Sequence, residues 1–224
     1  MSSEEGPGIK RRWWQGLIGA FFRRPRQIGT LVPSGEELSQ ASVNGIERER
    51  VQSIVELGAG TGPITEKIIG NMHPESCVLA VEIDEGLSRA LRSKFKAEIE
   101  AQRLRLIQGD CLQLEGLLGQ QAGFERPNVI VSSIPILNLK EPIRRAFLAA
   151  VARVLPSDGV FNQITIDPTA LLSGDRRRSL IEETYRPYFE DVQFEGVLRN
   201  VPPGGVFHCQ RPIVSQEREV KSGL

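Results

Sequence analysis

Ile54-Val-Glu-Leu-Gly-Ala-Gly-Thr-Gly62 is the stretch on which the fold turns. An apolar run enters a Gly58-x-Gly60-x-Gly62 turn, and a helical pattern over 62–70 leaves it. Glycines so spaced let the backbone reverse sharply and approach a ligand closely, as at the first strand-to-helix turn of a doubly wound sheet. On either side, strand-like apolar runs alternate with helical patterns. Strands are expected at Ser53–Leu57, 77–83, Leu104–Gln108, 128–133 and 160–166, with helices at 85–96, 141–155 and 180–189. Within 141–155, Ile143, Phe147, Leu148, Val151 and Leu155 recur at helical spacing. The runs 192–201 and 206–213 flank Pro202-Pro203-Gly204-Gly205, a hairpin-like turn that makes the last strand antiparallel. Ser34 and Glu37 form a capping-box pattern that opens a helix to residue 43. The expected fold class is α/β: a doubly wound, mostly parallel seven-stranded sheet with a C-terminal antiparallel hairpin and helices on both faces. Residues 1–48 read as an N-terminal helical arm, 49–213 as the α/β domain and 214–224 as a polar tail.

Composition narrows the classes without naming one. The chain has 224 residues, 40% hydrophobic and 25% charged, with 28 Lys+Arg against 28 Asp+Glu. This is the make-up of a folded protein with ample core, not of a disordered one. The zero net charge hides an uneven distribution. Residues 1–30 carry six basic residues and two acids, a surplus of four, and the remainder carries 22 basic residues against 26 acids. Three cysteines without a C-x-x-C pair, and only two histidines, leave almost no ligands for a metal site, so none is expected. They read as reduced thiols in a cytoplasmic setting. No apolar run approaches the roughly 18–20 residues of a membrane-spanning helix.

The glycine turn has an acidic setting. Glu56 lies two residues before Gly58, where a fixed carboxylate would repel a pyrophosphate and attract a cationic amino group. S-adenosylmethionine has such an amino group and no phosphate. Glu82 ends the second strand, where a carboxylate can accept hydrogen bonds from both ribose hydroxyls. Asp110 ends the third strand, placed for an adenine amino group, with Ile83, Cys111 and Leu112 as apolar walls. A surface acid at Glu82 and a helix cap at Asp110 are the plainer alternatives. The candidate cofactor-binding residues are therefore Glu56, Gly58, Ala59, Gly60, Thr61, Gly62, Glu82, Ile83, Asp110 and Cys111.

Residues 55–63, 81–84 and 109–110 resemble motifs of the Rossmann-like S-adenosylmethionine-dependent methyltransferases, over the core from 50 to 165. Three flanking segments extend the likeness: Phe22-Arg-Arg-Pro-Arg-Gln-Ile-Gly-Thr-Leu-Val-Pro-Ser34, Val131-Ser-Ser-Ile-Pro-Ile-Leu-Asn138 and Arg199-Asn-Val-Pro-Pro203. With the core they resemble the bacterial phospholipid N-methyltransferases, which convert phosphatidylethanolamine to phosphatidylcholine. That resemblance implies a phospholipid substrate, with an ornithine lipid as the alternative amine and RNA adenine as a third. It also implies that Ser132, Ser133 and Ile134 line the methionine end of the cofactor and the acceptor amine. A more distant similarity is to the rRNA adenine dimethylases, which carry Asn-x-Pro-aromatic after the fourth strand. Here the segment is Ser132-Ser-Ile-Pro-Ile136, without an aromatic to stack a flipped adenine, so nucleic acid is not an expected partner.

The arm points the same way from its own residues. On a helical wheel from Ile9 to Arg24, Trp13, Trp14, Leu17, Ile18, Phe21 and Phe22 form a broad apolar face, with Arg12, Gln15 and Arg23 opposite and Arg24 close to Leu17. Such a helix suits the plane of an anionic membrane interface, and packing on the protein itself is the alternative. Arg12, Trp13, Trp14, Leu17, Phe21, Phe22, Arg23 and Arg24 are the membrane-binding candidates, for a peripheral enzyme on the inner face of the cytoplasmic membrane. Methyl transfer to an amine needs the ammonium to lose its proton. Ser133, Tyr185 and His208 are the catalytic candidates; as bases, Tyr185 and His208 stand with Tyr188 and Glu141 by residue type alone, and none is decisive. Arg176-Arg-Arg178 could meet lipid phosphate or simply open a solvated helix.

Overall fold

The computed structural model describes residues 35–166, 173–199 and 203–213. Strand β1 (Ser53–Leu57) is central, with Ile54, Val55 and Leu57 all fully buried, as a parallel strand covered on both faces requires. It pairs in parallel with β2 (Cys77–Glu82) on one side and β4 (Val129–Ser132) on the other. Outside these lie β3 (Leu104–Gln108) and β5 (Val160–Thr165), both parallel. The chain closes with β6 (Phe189–Val197) and β7 (Gly204–Pro212), and β7 inserts antiparallel between β5 and β6. The order is β3-β2-β1-β4-β5-β7-β6, the expected seven-stranded sheet. Strand order reverses between β1 and β4, so the loops leaving those two strands part at that point and open a crevice.

Alternate side chains build two cores. On one face, Val55, Leu57, Ile130 and Phe161 pack with Leu114 and Leu118 of α5 (Leu114–Leu118) and Phe147, Leu148 and Val151 of α6 (Glu141–Val154). On the other, Ile54, Val78, Val129 and Val131 meet Leu38 of α1 (Glu36–Ala41), Ile64 and Ile68 of α2 (Pro63–Asn71), and Leu91 of α3 (Glu85–Lys94). A short α4 (Lys96–Glu100) follows α3.

Three expectations shift. The helix expected at 180–189 starts earlier and ends sooner: α7 (Gly174–Leu180) continues as a π-helical segment over Ile181–Tyr185, and β6 begins already at Phe189. Its signal was hidden because only Leu180 of α7 is buried; its start is set by Ser173, whose side chain accepts from the Arg176 amide at 3.2 Å. The glycines of the supposed hairpin turn lie within β7, Gly204 opposite Val197 and Gly205 opposite Gly196. A β-carbon on Gly205 would stand 2.4 Å from the Phe194 ring, so the glycine admits close strand approach, not a turn. Gly35, one residue past Ser34, takes the N-cap position of α1.

One polar cluster is buried against the apolar second face. Asn162 of β5 turns its NH2 to the carbonyls of Ser42 (3.0 Å) and Asn44 (2.6 Å), tying the segment after α1 to the sheet. Its Oδ1 is left to accept from His208 Nδ1 at 2.9 Å. Asn162→Ala strands two carbonyls and a ring N–H in one change, and is expected to cost about 2–4 kcal/mol. Urea unfolding should show a lower midpoint at unchanged slope; an unchanged midpoint would show that the cluster contributes nothing.

Candidate active site

The glycine turn has the geometry that its composition demands. Gly58, Gly60 and Gly62 have φ of 84°, 59° and 89°, a left-handed run that side chains rarely adopt. Space forbids them too: a β-carbon on Gly58 would lie 2.9 Å from Ser133 Oγ, and one on Gly62 would lie 2.6 Å from the Phe95 ring. The turn is held by Gly58 and Ala59 amides donating to the Val81 carbonyl at 2.9 and 3.2 Å. Gly62 then caps α2, with Pro63 in its first turn. Ala59 is buried, and the exposed Thr61 offers its carbonyl to Lys94 Nζ at 3.0 Å.

Glu56 is fully buried on β1. Oε2 accepts from Thr65 Oγ1 at 2.6 Å, while Oε1 is buried with no partner. Burial raises its pKa from the usual 4.5 to about 7, the Thr65 hydrogen bond opposes the rise, and Glu82 adds to it. An unpaired, buried carboxylate oxygen is what a cationic amino group would satisfy, so the residues present fit the expected cofactor. Thr65, nine residues beyond Glu56 on α2, was not singled out from the sequence; a hydroxyl in the first turn after the glycines was its only signal.

Glu82 is 1% exposed and no surface acid. Its Oε2 accepts from the Gly60 amide and its Oε1 from the Asp84 amide, each at 2.8 Å. It thus fixes the glycine turn and keeps one lone pair per oxygen for ribose hydroxyls. Burial raises its pKa, and the amide bonds lower it. Asp110 does serve as a cap, its Oδ1 accepting from the Leu112 amide at 3.0 Å at the start of the turn Cys111–Gln113. A second oxygen remains for an adenine amine. Ile83 and Leu112 are half-buried and Cys111 is buried, where burial pushes its thiol up and makes it an apolar wall.

The loop after β4 is stapled to the glycine turn. The Ser133 amide donates to the Leu57 carbonyl at 3.1 Å, and Ser133 Oγ donates to the Gly58 carbonyl at 2.6 Å. Ser132 is fully buried and accepts from the Ile134 amide at 3.3 Å. Ile136 closes a tight turn over Pro135 onto the Ile134 carbonyl at 2.7 Å.

The three catalytic candidates do not converge. Ser133 is at the loop, with its hydroxyl hydrogen committed to Gly58. Tyr185 is in the core, its ring stacked on Phe207 at 4.6 Å, and burial raises its pKa. His208 faces the opposite side of the sheet, between Asn162 and Glu195 Oε2 (3.2 Å), where burial lowers its pKa and Glu195 raises it. Glu141 pairs with Arg145 at 2.6 Å, and Tyr188 packs at the edge of the first core. The Arg177 guanidinium lies over the Phe194 ring at 5.7 Å, while Arg176 and Arg178 are exposed. Every membrane-binding candidate, from Arg12 to Arg24, lies outside the described residues. Among the described residues no helix is long and apolar enough to cross a membrane, and no His, Cys, Asp and Glu cluster is placed to hold a metal ion.

Residues 36–154 match the family model of the ribosomal RNA adenine dimethylases. The chain is 34% identical over 194 residues to an ornithine lipid N-methyltransferase from Singulisphaera acidiphila, covering 87% of this chain and 94% of that protein. It is 29% identical over 133 residues to a ribosomal RNA small subunit methyltransferase A from Trichormus variabilis, covering 58% of this chain and 46% of that one, less than half its length. Among solved structures, TrmN from Thermus thermophilus superposes with a TM-score of 0.58 at 20% identity, over 78% of this chain and 48% of its own, a likeness of fold.

Glu56 yields a prediction with a definite sign. Its carboxyl ionises near 4.5 when unfolded and near 7 when folded, so between these values the folded state holds the extra proton. Stability without cofactor should therefore fall as pH rises through that window, by about 3 kcal/mol. Glu56→Gln should flatten that slope and raise the unfolding midpoint at about pH 8. S-adenosylmethionine affinity should strengthen as pH rises through about 7 in the native protein, and Glu56→Gln should weaken it about tenfold and remove the dependence. Calorimetry across pH checks both halves; a pH-independent affinity in the native protein would contradict the assignment.

Proposed function

The chain belongs to the ribosomal RNA adenine dimethylase family and is an S-adenosylmethionine-dependent methyltransferase, and from that premise we propose that it N-methylates the amine headgroup of a membrane lipid. An ornithine lipid is the first acceptor and phosphatidylethanolamine the second. The observation that carries this reading is the extent of likeness to the ornithine lipid enzyme, which runs over nearly the whole of both chains. The relatives named ribosomal RNA small subunit methyltransferase A match over smaller shares of their own length, 46% for the protein from Trichormus variabilis and 64% for one from Treponema pallidum. The motif likeness to phospholipid N-methyltransferases supports the second acceptor, since both lipids present a primary ammonium on a flexible tether. Ile136 stands where an adenine methylase would carry its stacking aromatic and is itself buried, which counts against a nucleobase.

When bound, the cofactor supplies an electrophilic methyl on its sulfonium. Glu56 Oε1 receives its amino group, Glu82 the ribose hydroxyls and Asp110 the adenine amine. The Ser132–Ile136 segment, pinned to Gly58 by Ser133, walls the acceptor side. The acceptor ammonium gives up its proton before attack, and none of Ser133, Tyr185, His208, Tyr188 and Glu141 is placed to take it. Positioning and exclusion of water therefore carry the rate. The arm, with its basic surplus and aromatic face, holds the enzyme on the inner face of the cytoplasmic membrane.

Incubation with methyl-labelled cofactor and three acceptors tests the reading: ornithine-lipid vesicles, phosphatidylethanolamine vesicles and ribosomal RNA. Label is expected in ornithine lipid first; label in RNA alone would overturn the lipid assignment. Trp13→Asp with Phe21→Asp should release the protein from anionic vesicles, and unchanged co-sedimentation would remove the arm as anchor.

A further inference from the structure

Gln163 of β5 is 1% exposed and sits in register with Ser132 on β4 and with Phe207 on β7. Its amide nitrogen faces three carbonyls: Ser132 at 3.3 Å, Ile134 at 2.8 Å and Ile164 at 2.7 Å. Two of them belong to the loop that walls the acceptor side. The Ile134 carbonyl also accepts the Ile136 amide, so both of its lone pairs are used and its direction is fixed. Gln163 Oε1, on the same amide, is buried with no partner. An apolar side chain of similar volume would fill this place without a stranded oxygen, so packing alone does not account for glutamine here.

We infer that Gln163 is a positioning residue of the methyl-transfer site, holding the Ser132–Ile136 loop from the β5 side as Ser133 holds it from the β1 side. The two clamps set the separation between the glycine turn and the acceptor. Ser133 bonds to Leu57 and Gly58, in the cofactor half, whereas no bond of Gln163 goes to Glu56, Glu82, Asp110 or the glycine turn. Loss of the Gln163 clamp should therefore act on turnover and spare cofactor affinity. Small misplacements of a reacting group are costly, since a shift of about 1 Å can lower a rate about 100-fold.

The inference rests on the methyltransferase assignment and not on the choice of acceptor. Gln163→Met keeps the volume and removes both the donors and the stranded oxygen. With ornithine-lipid vesicles, or whichever of the three acceptors the native protein methylates, kcat should fall about 10- to 100-fold. S-adenosylmethionine affinity should stay within about twofold, and Tm should change little, because the loss of the stranded oxygen offsets the donors withdrawn from the carbonyls. A kcat within about threefold of native, an equal weakening of cofactor binding, or a lowered Tm matching the loss would overturn it. Gln163→Glu decides the case if the methionine variant does not fold. A carboxylate has no hydrogen to give these carbonyls, whereas the protonated acid has one, so its activity relative to native should rise as pH falls. A flat ratio would count against the clamp. Absence of transfer by the native protein tests the acceptor instead, which keeps the two failures apart.

Discussion

A carboxyl group buried from solvent at the centre of a sheet is the constraint around which this molecule is built. Glu56 is flanked along β1 by Val55 and Leu57, with Ala80 and Val131 opposite it on the neighbouring strands. One oxygen is paired and the other is not. Holding an unpaired buried oxygen costs stability, and the protein offsets it with apolar packing on both faces of β1. A second buried acid, Glu82, ends the adjacent strand and raises the proton affinity of the first. It avoids the same cost by taking two backbone amides, one of which shapes the glycine turn. The pair divides the work: Glu82 shapes the glycine turn with a lone pair to spare on each oxygen, and Glu56 keeps one whole oxygen unpaired.

Much of this was legible because local and global rules agreed. A carboxylate two residues before the glycine turn pointed to a cationic ligand, and the structure buries Glu56 on the central strand. Alternate glycines followed by Pro63 announced a strand-to-helix turn, and all three indeed adopt positive φ. Strand boundaries fell within one or two residues for β1 to β5, where apolar runs end abruptly.

What the sequence concealed lies where distant segments meet. The role of Gly205 depends on Phe194, eleven residues earlier, so a Pro-Pro-Gly-Gly string read locally as a turn when half of it is strand. His208 looked catalytic by residue type, yet its partners Asn162 and Glu195 come from two other strands on the far side of the sheet from Leu57 and Gln163. Tyr185 had the same fate for the opposite reason: its aromatic body outweighed its hydroxyl and sank into the core. Gln163 was not singled out, because the pair Asn162-Gln163 in an apolar β run does not show which loop each amide meets until the strand order brings β4 beside β5.

The lack of a convergent base among the candidates in the described residues agrees with the chemistry proposed. Both reactants are cationic at neutral pH, the donor by its sulfonium and amino group and the acceptor by its ammonium. In the proposed complex Glu56, Glu82 and Asp110 would stabilise the first from the cofactor side of the loop. The acceptor side offers Ile134 and Ile136, both buried, and Pro135, with no carboxylate among them. A low-dielectric wall next to a fixed positive charge lowers the pKa of an ammonium by the same two effects that lower a buried lysine's. Deprotonation can then proceed into interfacial water before the amine is enclosed, and a side-chain base would add charge where the site excludes it. On this reading, selectivity for a neutral amine follows from keeping the acids on one side of the Ser132–Ile136 loop, and Ser133 and Gln163 hold that partition in place.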